Sequence, residues 1–232
     1  YVLKADGLAG GKGVLILNDL QEAKKQLDEM LLHKKFGNAA QQVVIEEFLN
    51  GTEMSIFVLT DGEDYKLLPT AKDYKRIGNG DTGLNTGGMG AISPNLLADD
   101  ELIKKVEGQI IQPTLQGLKN RNYDYKGFIF LGLMIIDSEP YVIEYNVRLG
   151  DPETQAILPR IKTDLLSLLD KTTKGKLADI DLEISDDFTA TLVLVSGGYP
   201  GSYKKGEEIS GLDEAGDNII IFHAGTQLSN NK

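Results

Sequence analysis

Short apolar runs bounded by glycine and polar residues recur along the chain and predict β-strands. In the first third of the chain, these runs span residues 1–5, 14–17, 42–49 and 53–61. The first two flank the glycine-rich stretch DGLAGGKG, so we expect them to form a hairpin rather than a strand-to-helix unit. The dipeptide Asp61-Gly62 then predicts a turn into YKLLPTA.

Apolar residues at helical spacing predict a helix over residues 19–32, with Asp19 as its N-cap and Glu22 as the capping-box partner. The apolar face of this helix is expected to contain Leu20, Ala23, Leu27 and Leu31.

Two further helices are predicted in the second half of the chain. One covers residues 99–120 and is kinked or ended by Pro113. The other begins with Asp151 as its N-cap and Pro152 at its first position.

Three apolar segments of the second half, FIFLGLMIID, YVIEYNV and TATLVLVS, predict strands, and the first two are joined across residues 137–140. Residues 75–95 contain many glycines with little periodicity and are expected to be a long loop. The acidic stretch at residues 178–187 resembles a linker, so we place a subdomain boundary there.

Composition and charge restrict the possible functions. The chain has 232 residues, 41% of them hydrophobic, which suits a globular protein with a sizeable core. Its net charge of −11 argues against nucleic-acid binding, which needs a basic surface. Without cysteine the chain has no disulfide or thiolate chemistry, and without a long apolar run we expect no membrane span. The chain begins with Tyr1 inside an apolar run, and we expect it to be a fragment.

The first glycine-rich stretch, KADGLAGGKG, fits phosphate binding because glycine lets backbone amides approach an anion and lysine supplies charge. It is not a Walker A loop, because Lys12 is followed by Gly13 instead of Ser or Thr. A flexible hairpin tip is the alternative. Lys4 favours the phosphate interpretation, since a lysine inside an apolar strand needs a partner once it is buried.

Two other stretches are candidates for binding. VIEEFLNGTE places carboxylates around a hydrophobic dipeptide, as an adenine slot with a ribose-binding Glu53 would, although a solvated strand end has the same pattern. KDYKRIGNGDTGLNTGGMG combines charged residues with glycines, and a loop of this length is either functional or a mobile surface segment.

The segment EYNVRLGDPE places Glu144, Asn146 and Arg148 at alternate positions, which share one face of a strand. A carboxylate and an amide oxygen suit Mg²⁺, and a guanidinium next to them suits a phosphate or carboxylate. The alternative is an amphipathic strand with one wet face.

These motifs together resemble the glycinamide ribonucleotide synthetase (phosphoribosylamine–glycine ligase) family of the ATP-grasp superfamily. The likeness extends over nearly the whole chain, and the combination of NTGGMGA with RLGDPETQ is its most specific part. It implies an α+β ATP-grasp fold in which two subdomains grip ATP. Residues 1–50 would form the small subdomain with the glycine-rich flap, residues 51–180 the central subdomain, and residues 181–232 part of a β-rich C-terminal domain.

The resemblance also implies roles for individual residues. Nucleotide contacts are expected from Lys4, Gly10, Gly11, Lys12, Gly13, Glu46, Glu47, Phe48, Leu49 and Glu53. Metal ligands are expected to be Glu144 and Asn146, and catalytic roles are expected for Lys4 and Arg148. Substrate contacts are expected from Asp73, Lys75, Arg76, Asn85, Thr86, Gly87, Gly88, Arg148 and Asp151.

The implied reaction joins glycine to 5-phosphoribosylamine through glycyl phosphate, with ATP as co-substrate and Mg²⁺ or Mn²⁺ as the metal. We expect a cytoplasmic monomer that binds small molecules but neither nucleic acid nor membrane. The family has a domain before the VLKADG strand that this chain lacks, so the chain alone is expected to be weakly active or inactive. The alternatives are another ATP-grasp carboxylate–amine ligase and a non-catalytic Mg–ATP-binding module.

Overall fold

The computed structural model describes residues 1–9 and 13–228, and these residues mix strands and helices as the predicted α+β class requires. The chain divides into two compact units. The first unit consists of residues 1–52 with residues 134–141, and the second consists of residues 53–133 with the chain from residue 142 onward. The predicted Gly10, Gly11 and Lys12 lie outside the described residues.

The first unit is built on a three-stranded antiparallel sheet with the order β2-β1-β3. Its strands are β1 (Val2–Ala5), β2 (Val14–Ile16) and β3 (Val43–Glu46). Lys4 lies opposite Val14, which confirms the predicted hairpin. The third strand is shorter than predicted, because it ends at Glu46.

Helix α1 (Leu20–Leu31) begins as predicted, with the Asp19 carboxylate accepting a hydrogen bond from the Glu22 amide at 2.8 Å. Its predicted apolar face is partly wrong. Leu20 and Leu31 are exposed, whereas Met30 is fully buried beside Leu3 and Ala40. The helix therefore packs through Ala23, Leu27 and Met30, a stripe rotated from the one that the leucines indicated.

The second unit contains a four-stranded sheet with the order β5-β4-β8-β9. The strands are β4 (Thr52–Thr60), β5 (Tyr65–Leu67), β8 (Gly127–Ile136) and β9 (Glu139–Asn146). Strands β8 and β9 form the predicted hairpin, and its turn uses Asp137 and Ser138 with φ of 50° and 63°. Two positive φ values in succession are those of a two-residue type I′ turn.

Both faces of this sheet are buried, because alternate residues of its central strand β4 contact different helices. Phe57 and Leu59 pack with Ile157 of α4 (Glu153–Ile157) and Leu168 of α5 (Leu165–Thr173). On the other face, Val58 of β4 and Leu131 of β8 line a small cavity together with Ile111 and Leu115. Strand β4 is consequently apolar at nearly every position.

The predicted helix over residues 99–120 is present and has a π-helical turn in its middle. Helix α2 (Asp100–Val106) continues through the π turn (Glu107–Ile111) into α3 (Gln112–Asn120). Pro113 follows this turn directly and has no N–H to give to a regular helical ladder. The widened turn accommodates the proline without ending the helix, so the predicted disturbance takes the form of a π turn.

The prediction of a loop over residues 75–95 is wrong. Strands β6 (Lys72–Gly78) and β7 (Thr82–Ser93) form a hairpin, and β7 also pairs with β10 (Thr189–Leu192). Glycine and small polar residues have low strand propensity, but pairing along both edges of β7 overrides it. The β6–β7 register shifts twice, at Tyr74/Arg76 and at Arg76/Gly78.

The prediction that Asp151 caps the next helix is also wrong. Helix α4 begins at Glu153, and no side chain caps it. The Asp151 carboxylate instead accepts a hydrogen bond from the Gln155 amide at 2.9 Å, while the Thr154 amide bonds to the Gly150 carbonyl at 3.0 Å.

Among residues 1–9 and 13–228, no helix combines the length and the apolar character needed to cross a membrane.

Replacing Phe57 with alanine should destabilise the second unit strongly. Phe57 is fully buried, and its ring centroid lies 5.4 Å from that of Phe130. Loss of this packing should lower the free energy of unfolding by about 3–5 kcal/mol, measured by denaturant titration. Phe188→Ala is the control, because Phe188 is 69% exposed. Equal losses in the two variants would contradict the proposed core.

Candidate active site

Lys4 is held in the first unit by an ion pair with Glu46. Its Nζ lies 2.6 Å from Glu46 Oε2, and the Lys4 side chain is only 16% exposed. The antiparallel register of β1 and β3 places Lys4 opposite Val44 and Val2 opposite Glu46, so the pair is diagonal across the two strands. Two residues that the sequence assigned to the nucleotide therefore lie in direct contact.

The chain on either side of this pair contains the other nucleotide candidates of the first unit. Gly13 is buried, and its carbonyl accepts a hydrogen bond from the Ala5 amide at 2.8 Å. Beyond the end of β3, Glu47 is exposed, Phe48 is 52% exposed and Leu49 is half-buried. An exposed aromatic ring that directly follows a strand is available to contact a planar base.

Lys75 of β6 lies between two carboxylates in the second unit. Its Nζ is 3.1 Å from Glu53 Oε2 and 3.6 Å from Asp73 Oδ2. Asp73 and Lys75 are alternate residues of one strand and so share a face. Burial lowers the pKa of Lys75, but the charges of Asp73 and Glu53 outweigh it and raise that pKa above its ordinary value.

Asp73 is the more buried member of this group, with a side chain that is 8% exposed. Burial raises the pKa of Asp73, Lys75 acts against the rise, and the charge of Glu53 adds to it. A single ammonium group therefore holds two carboxylates in a site that contains little water.

The remaining β6–β7 candidates are brought together by the hairpin. Arg76 lies opposite Asn85, and Arg76 Nε is 3.8 Å from the exposed Asp81 carboxylate. The Thr86 hydroxyl donates to the Lys75 carbonyl at 2.7 Å and accepts from the Gly88 amide at 3.0 Å. The glycine-rich segment is thus an ordered strand edge beside Lys75.

Glu144 and Asn146 lie side by side at the end of β9, as their spacing predicted. The Asn146 amide nitrogen donates to Glu144 Oε1 at 3.2 Å. Between them, the Tyr145 hydroxyl is 3.1 Å from the Thr114 hydroxyl of α3. The donor set offers a carboxylate and an amide oxygen, which fits a hard divalent cation that keeps water or ligand oxygens in its remaining positions. Among residues 1–9 and 13–228, no group of three or more His, Cys, Asp or Glu side chains is arranged around a metal position.

Arg148 does not continue this strand face, so that prediction is wrong. Strand β9 ends at Asn146, and residues 147 and 148 form a bend with Val147 74% exposed. The Arg148 guanidinium is exposed and donates to the Leu149 carbonyl at 2.9 Å.

Glu153 belongs to this region, although the sequence analysis used it only as part of a motif. The residue is 3% exposed, and its Oε1 accepts a hydrogen bond from the Ser55 hydroxyl at 3.1 Å. Burial raises the pKa of Glu153, Asp73 raises it further, and Ser55 and Lys75 act in the opposite direction. A glutamate in the first turn of an apolar helix, followed by Ala156 and Ile157, was the signal that could have identified it.

Two glycines let backbone segments approach each other here. Gly88 has φ of 137°, and a Cβ on it would overlap Pro152 and come within 3.0 Å of the Asp151 carbonyl oxygen. A Cβ on Gly150 would lie 2.6 Å from the Glu153 carboxyl carbon. Only glycine fits either position, so the GDP turn packs directly on β7.

Tyr199 is a second residue that the sequence analysis did not assign to the site. The GGYPG turn brings its hydroxyl to 3.4 Å from the Gly87 amide, which donates to it. Its ring also contacts Tyr203, with centroids 5.8 Å apart.

Comparison with solved structures gives the class of the fold. Phosphoribosylamine–glycine ligase from Thermotoga maritima superposes with a TM-score of 0.89 and 38% identity, over 99% of this chain and 57% of that one. A biotin carboxylase from Campylobacter jejuni matches at 15% identity with a TM-score of 0.58, over 82% of this chain and 40% of that one, which is a likeness of fold alone. The chain has the ATP-grasp fold, as its motifs implied.

The family models are more specific. The model for the phosphoribosylglycinamide synthetase ATP-grasp (A) domain matches residues 1–154, and the C-domain model of the same family matches residues 189–232. The chain therefore belongs to the phosphoribosylglycinamide synthetase family.

Curated relatives agree with this family. The bifunctional purine biosynthetic protein of Pichia angusta is 48% identical over all of this chain and 30% of that protein. Phosphoribosylamine–glycine ligase of Caldanaerobacter subterraneus is 46% identical over all of this chain and 55% of that protein. The chain thus spans about half, or less, of the length of these relatives.

Replacing Glu153 with glutamine should change how stability depends on pH. The folded chain holds the Glu153 proton more tightly than the ordinary pKa of 4.5 implies, so the wild type loses stability as pH rises through the folded pKa. Glutamine keeps the acceptor for Ser55 but cannot ionise. The stability of the variant relative to the wild type should therefore increase from about pH 4 to pH 7 in denaturant titrations.

The surface control for this measurement is Glu101→Gln, whose side chain is 82% exposed on α2. A difference between the Glu153 variant and the wild type that stays constant with pH would contradict the burial of a charge at this position.

Proposed function

We propose that this chain forms the nucleotide-, metal- and substrate-binding part of an ATP-dependent ligase that joins glycine to 5-phosphoribosylamine. The observation that carries the proposal is the family match over residues 1–154, because relatives of this length class are named phosphoribosylamine–glycine ligases. The reaction would form glycinamide ribonucleotide in purine biosynthesis.

The reaction has two steps. A carboxylate oxygen of glycine attacks the γ-phosphorus of ATP, the bond to ADP breaks, and glycyl phosphate forms. The amine of phosphoribosylamine then attacks the carbonyl carbon, inorganic phosphate leaves, and the new amide loses a proton. The protein contributes mainly position and charge neutralisation to such a transfer.

In the first unit, Lys4 is proposed to contact the nucleotide phosphates, with the backbone of residues 10–13 close to them. Residues 46–49 would hold the adenine, with exposed Phe48 against the base. Glu46 limits the cost of burying Lys4 before nucleotide binds, because the 2.6 Å ion pair keeps its charge compensated. Glu53, held by Lys75 in the second unit, would accept hydrogen bonds from the ribose.

Glu144 and Asn146 are proposed to hold Mg²⁺ or Mn²⁺, both of which accept these oxygen ligands. When bound, the metal would neutralise charge on the phosphate oxygens. The hydrogen bond between the two side chains sets them next to each other before a metal binds.

Substrate contacts are proposed for the charged and glycine-rich β6–β7 hairpin and for the turn after β9. Exposed Arg148 would face the transferred phosphate, because guanidinium groups bind phosphate bidentately. The remaining proposed contacts are Asp73, Lys75, Arg76, Asn85, Thr86, Gly87, Gly88 and Asp151.

The proposal extends to the organisation and surroundings of the protein. Residues 1–50, 51–180 and 181–232 would be the small subdomain, the central subdomain and part of the C-terminal domain. We propose a cytoplasmic monomer whose partners are ATP, glycine and phosphoribosylamine rather than nucleic acid or membrane.

The decisive assay measures phosphate release by the full-length ligase carrying this sequence, with Mg–ATP and matched acid–amine pairs. Release that requires both glycine and phosphoribosylamine supports the proposal. Release with a different pair would assign another carboxylate–amine ligase, and calorimetric binding of Mg–ATP without any turnover would assign a nucleotide-binding module.

Replacing Glu144 with glutamine should lower metal-dependent turnover of the full-length ligase by about 100-fold or more, because the charge that holds the metal is lost. Turnover is measured against metal concentration, with Glu101→Gln as the surface control. An unchanged rate would remove Glu144 from the metal site.

Replacing Lys4 with methionine should weaken Mg–ATP binding by about tenfold or more, because a charge-assisted contact to phosphate is lost. Calorimetry measures the effect, and Lys24→Met, at an exposed position of α1, is the control. Equal affinities of the two variants would exclude Lys4 from phosphate binding.

A further inference from the structure

Glu153 is a buried carboxylate for which the proposed reaction has no direct use. Its carboxylate accepts from the Ser55 hydroxyl at 3.1 Å, and Ser55 itself is only 4% exposed on β4. Burying an ionisable group is costly, so a glutamate here needs a reason that an apolar side chain would not satisfy.

On one side, Glu153 contacts the turn that carries Arg148 and Asp151. Its carboxyl group lies against Gly150, where a Cβ would come within 2.6 Å of the carboxyl carbon. The Gly150 carbonyl in turn accepts the Thr154 amide at 3.0 Å. The turn is therefore fixed to the first turn of α4 on its inner side.

On the other side, Ser55 connects Glu153 to β6. The Ser55 amide donates to the Ala71 carbonyl at 2.9 Å, and the Ala71 amide donates to the Ser55 carbonyl at 3.0 Å. Ala71 directly precedes β6, whose second residue is Asp73. The charges of Asp73 and Lys75 both act on Glu153, which agrees with their proximity.

We propose that Glu153 is a positioning residue that fixes the Arg148–Asp151 turn relative to the Asp73–Lys75 end of β6 through Ser55. The inference rests on the proposed ligase function, because these two segments carry its substrate contacts. Glu153 touches no substrate; it sets the distance between groups that do.

The hydrogen bond, rather than the charge, is the feature that transmits this placement. Glu153→Ala removes the acceptor, and Ser55→Ala removes the donor. Glu153→Gln keeps an acceptor of the same length and should restore much of the placement. Thr172→Ala is the matched control, since Thr172 is buried and its hydroxyl bonds to Leu168 within α5, which carries no proposed site residue.

The first measurement is independent of turnover. Amide hydrogen exchange of residues 146–154 should accelerate in Glu153→Ala and Ser55→Ala, because the turn loses its inner contact. The same segment should exchange at the wild-type rate in Thr172→Ala. Unchanged exchange in Glu153→Ala would overturn the inference whether or not the ligase proposal holds.

The second measurement is steady-state kinetics of the full-length ligase with glycine and phosphoribosylamine. Glu153→Ala should lower kcat/KM for these substrates by about 100-fold, as a displacement of roughly 1 Å does, while the Kd for Mg–ATP stays within about threefold. Glu153→Gln should recover at least about tenfold of that loss. Thr172→Ala should lower thermal stability without this kinetic pattern.

Three outcomes would overturn the inference: Glu153→Gln as impaired as Glu153→Ala, equal losses in substrate kinetics and ATP binding, or the same kinetic loss in Thr172→Ala. A wild-type ligase that is inactive with both substrates would instead refute the proposed function, and the exchange result would stand by itself.

Discussion

The charge balance around Lys75 is the interaction on which the rest of the second unit's site depends. One ammonium group lies within 3.6 Å of the carboxylates of Glu53 and Asp73, and the charge of Glu144 also acts on it. A surface pair of this kind contributes little, but Asp73 is almost completely buried, and an unpaired carboxylate there would be costly. The lysine therefore makes it possible to gather acidic groups beside a strand edge that is otherwise glycine and small polar residues.

The sheet that supports these groups is rigid for an ordinary reason. Strand β4 is buried on both faces, so Glu53 and Ser55 project from the beginning of a strand whose later residues are fixed by the core. Glycines at 88 and 150 then allow the turn after β9 to approach this support directly. Substrate-facing groups are thus placed by backbone contacts rather than by long side chains.

Patterns of local origin were predictable from the sequence. The first hairpin, the Asp19 cap, the β8–β9 hairpin and the adjacency of Glu144 and Asn146 follow from periodicity and turn chemistry within a few residues. The β6–β7 hairpin was missed because its strands are stabilised by neighbours that are distant in sequence, notably β10. Arg148 and Asp151 were misassigned for the same reason, since packing on β7 determines where the strand and the next helix end.

For the site, residue types could be identified more readily than their partners. The sequence indicated that Lys4 needs a counter-charge but not that Glu46 provides it, because the diagonal pair depends on strand register. Glu153 and Tyr199 were not selected, since burial of the one and the position of the other arise only in the folded chain.

The π turn at Glu107–Ile111 has a consequence for the evolution of this helix. A π turn contains one residue more than an α turn, and each residue rotates a helix by about 100°. Deleting a single residue there would restore regular winding but swing Thr114 and Leu115 away from the sheet. Insertions and deletions in family members should therefore avoid this stretch and accumulate in the connections on either side of the helix.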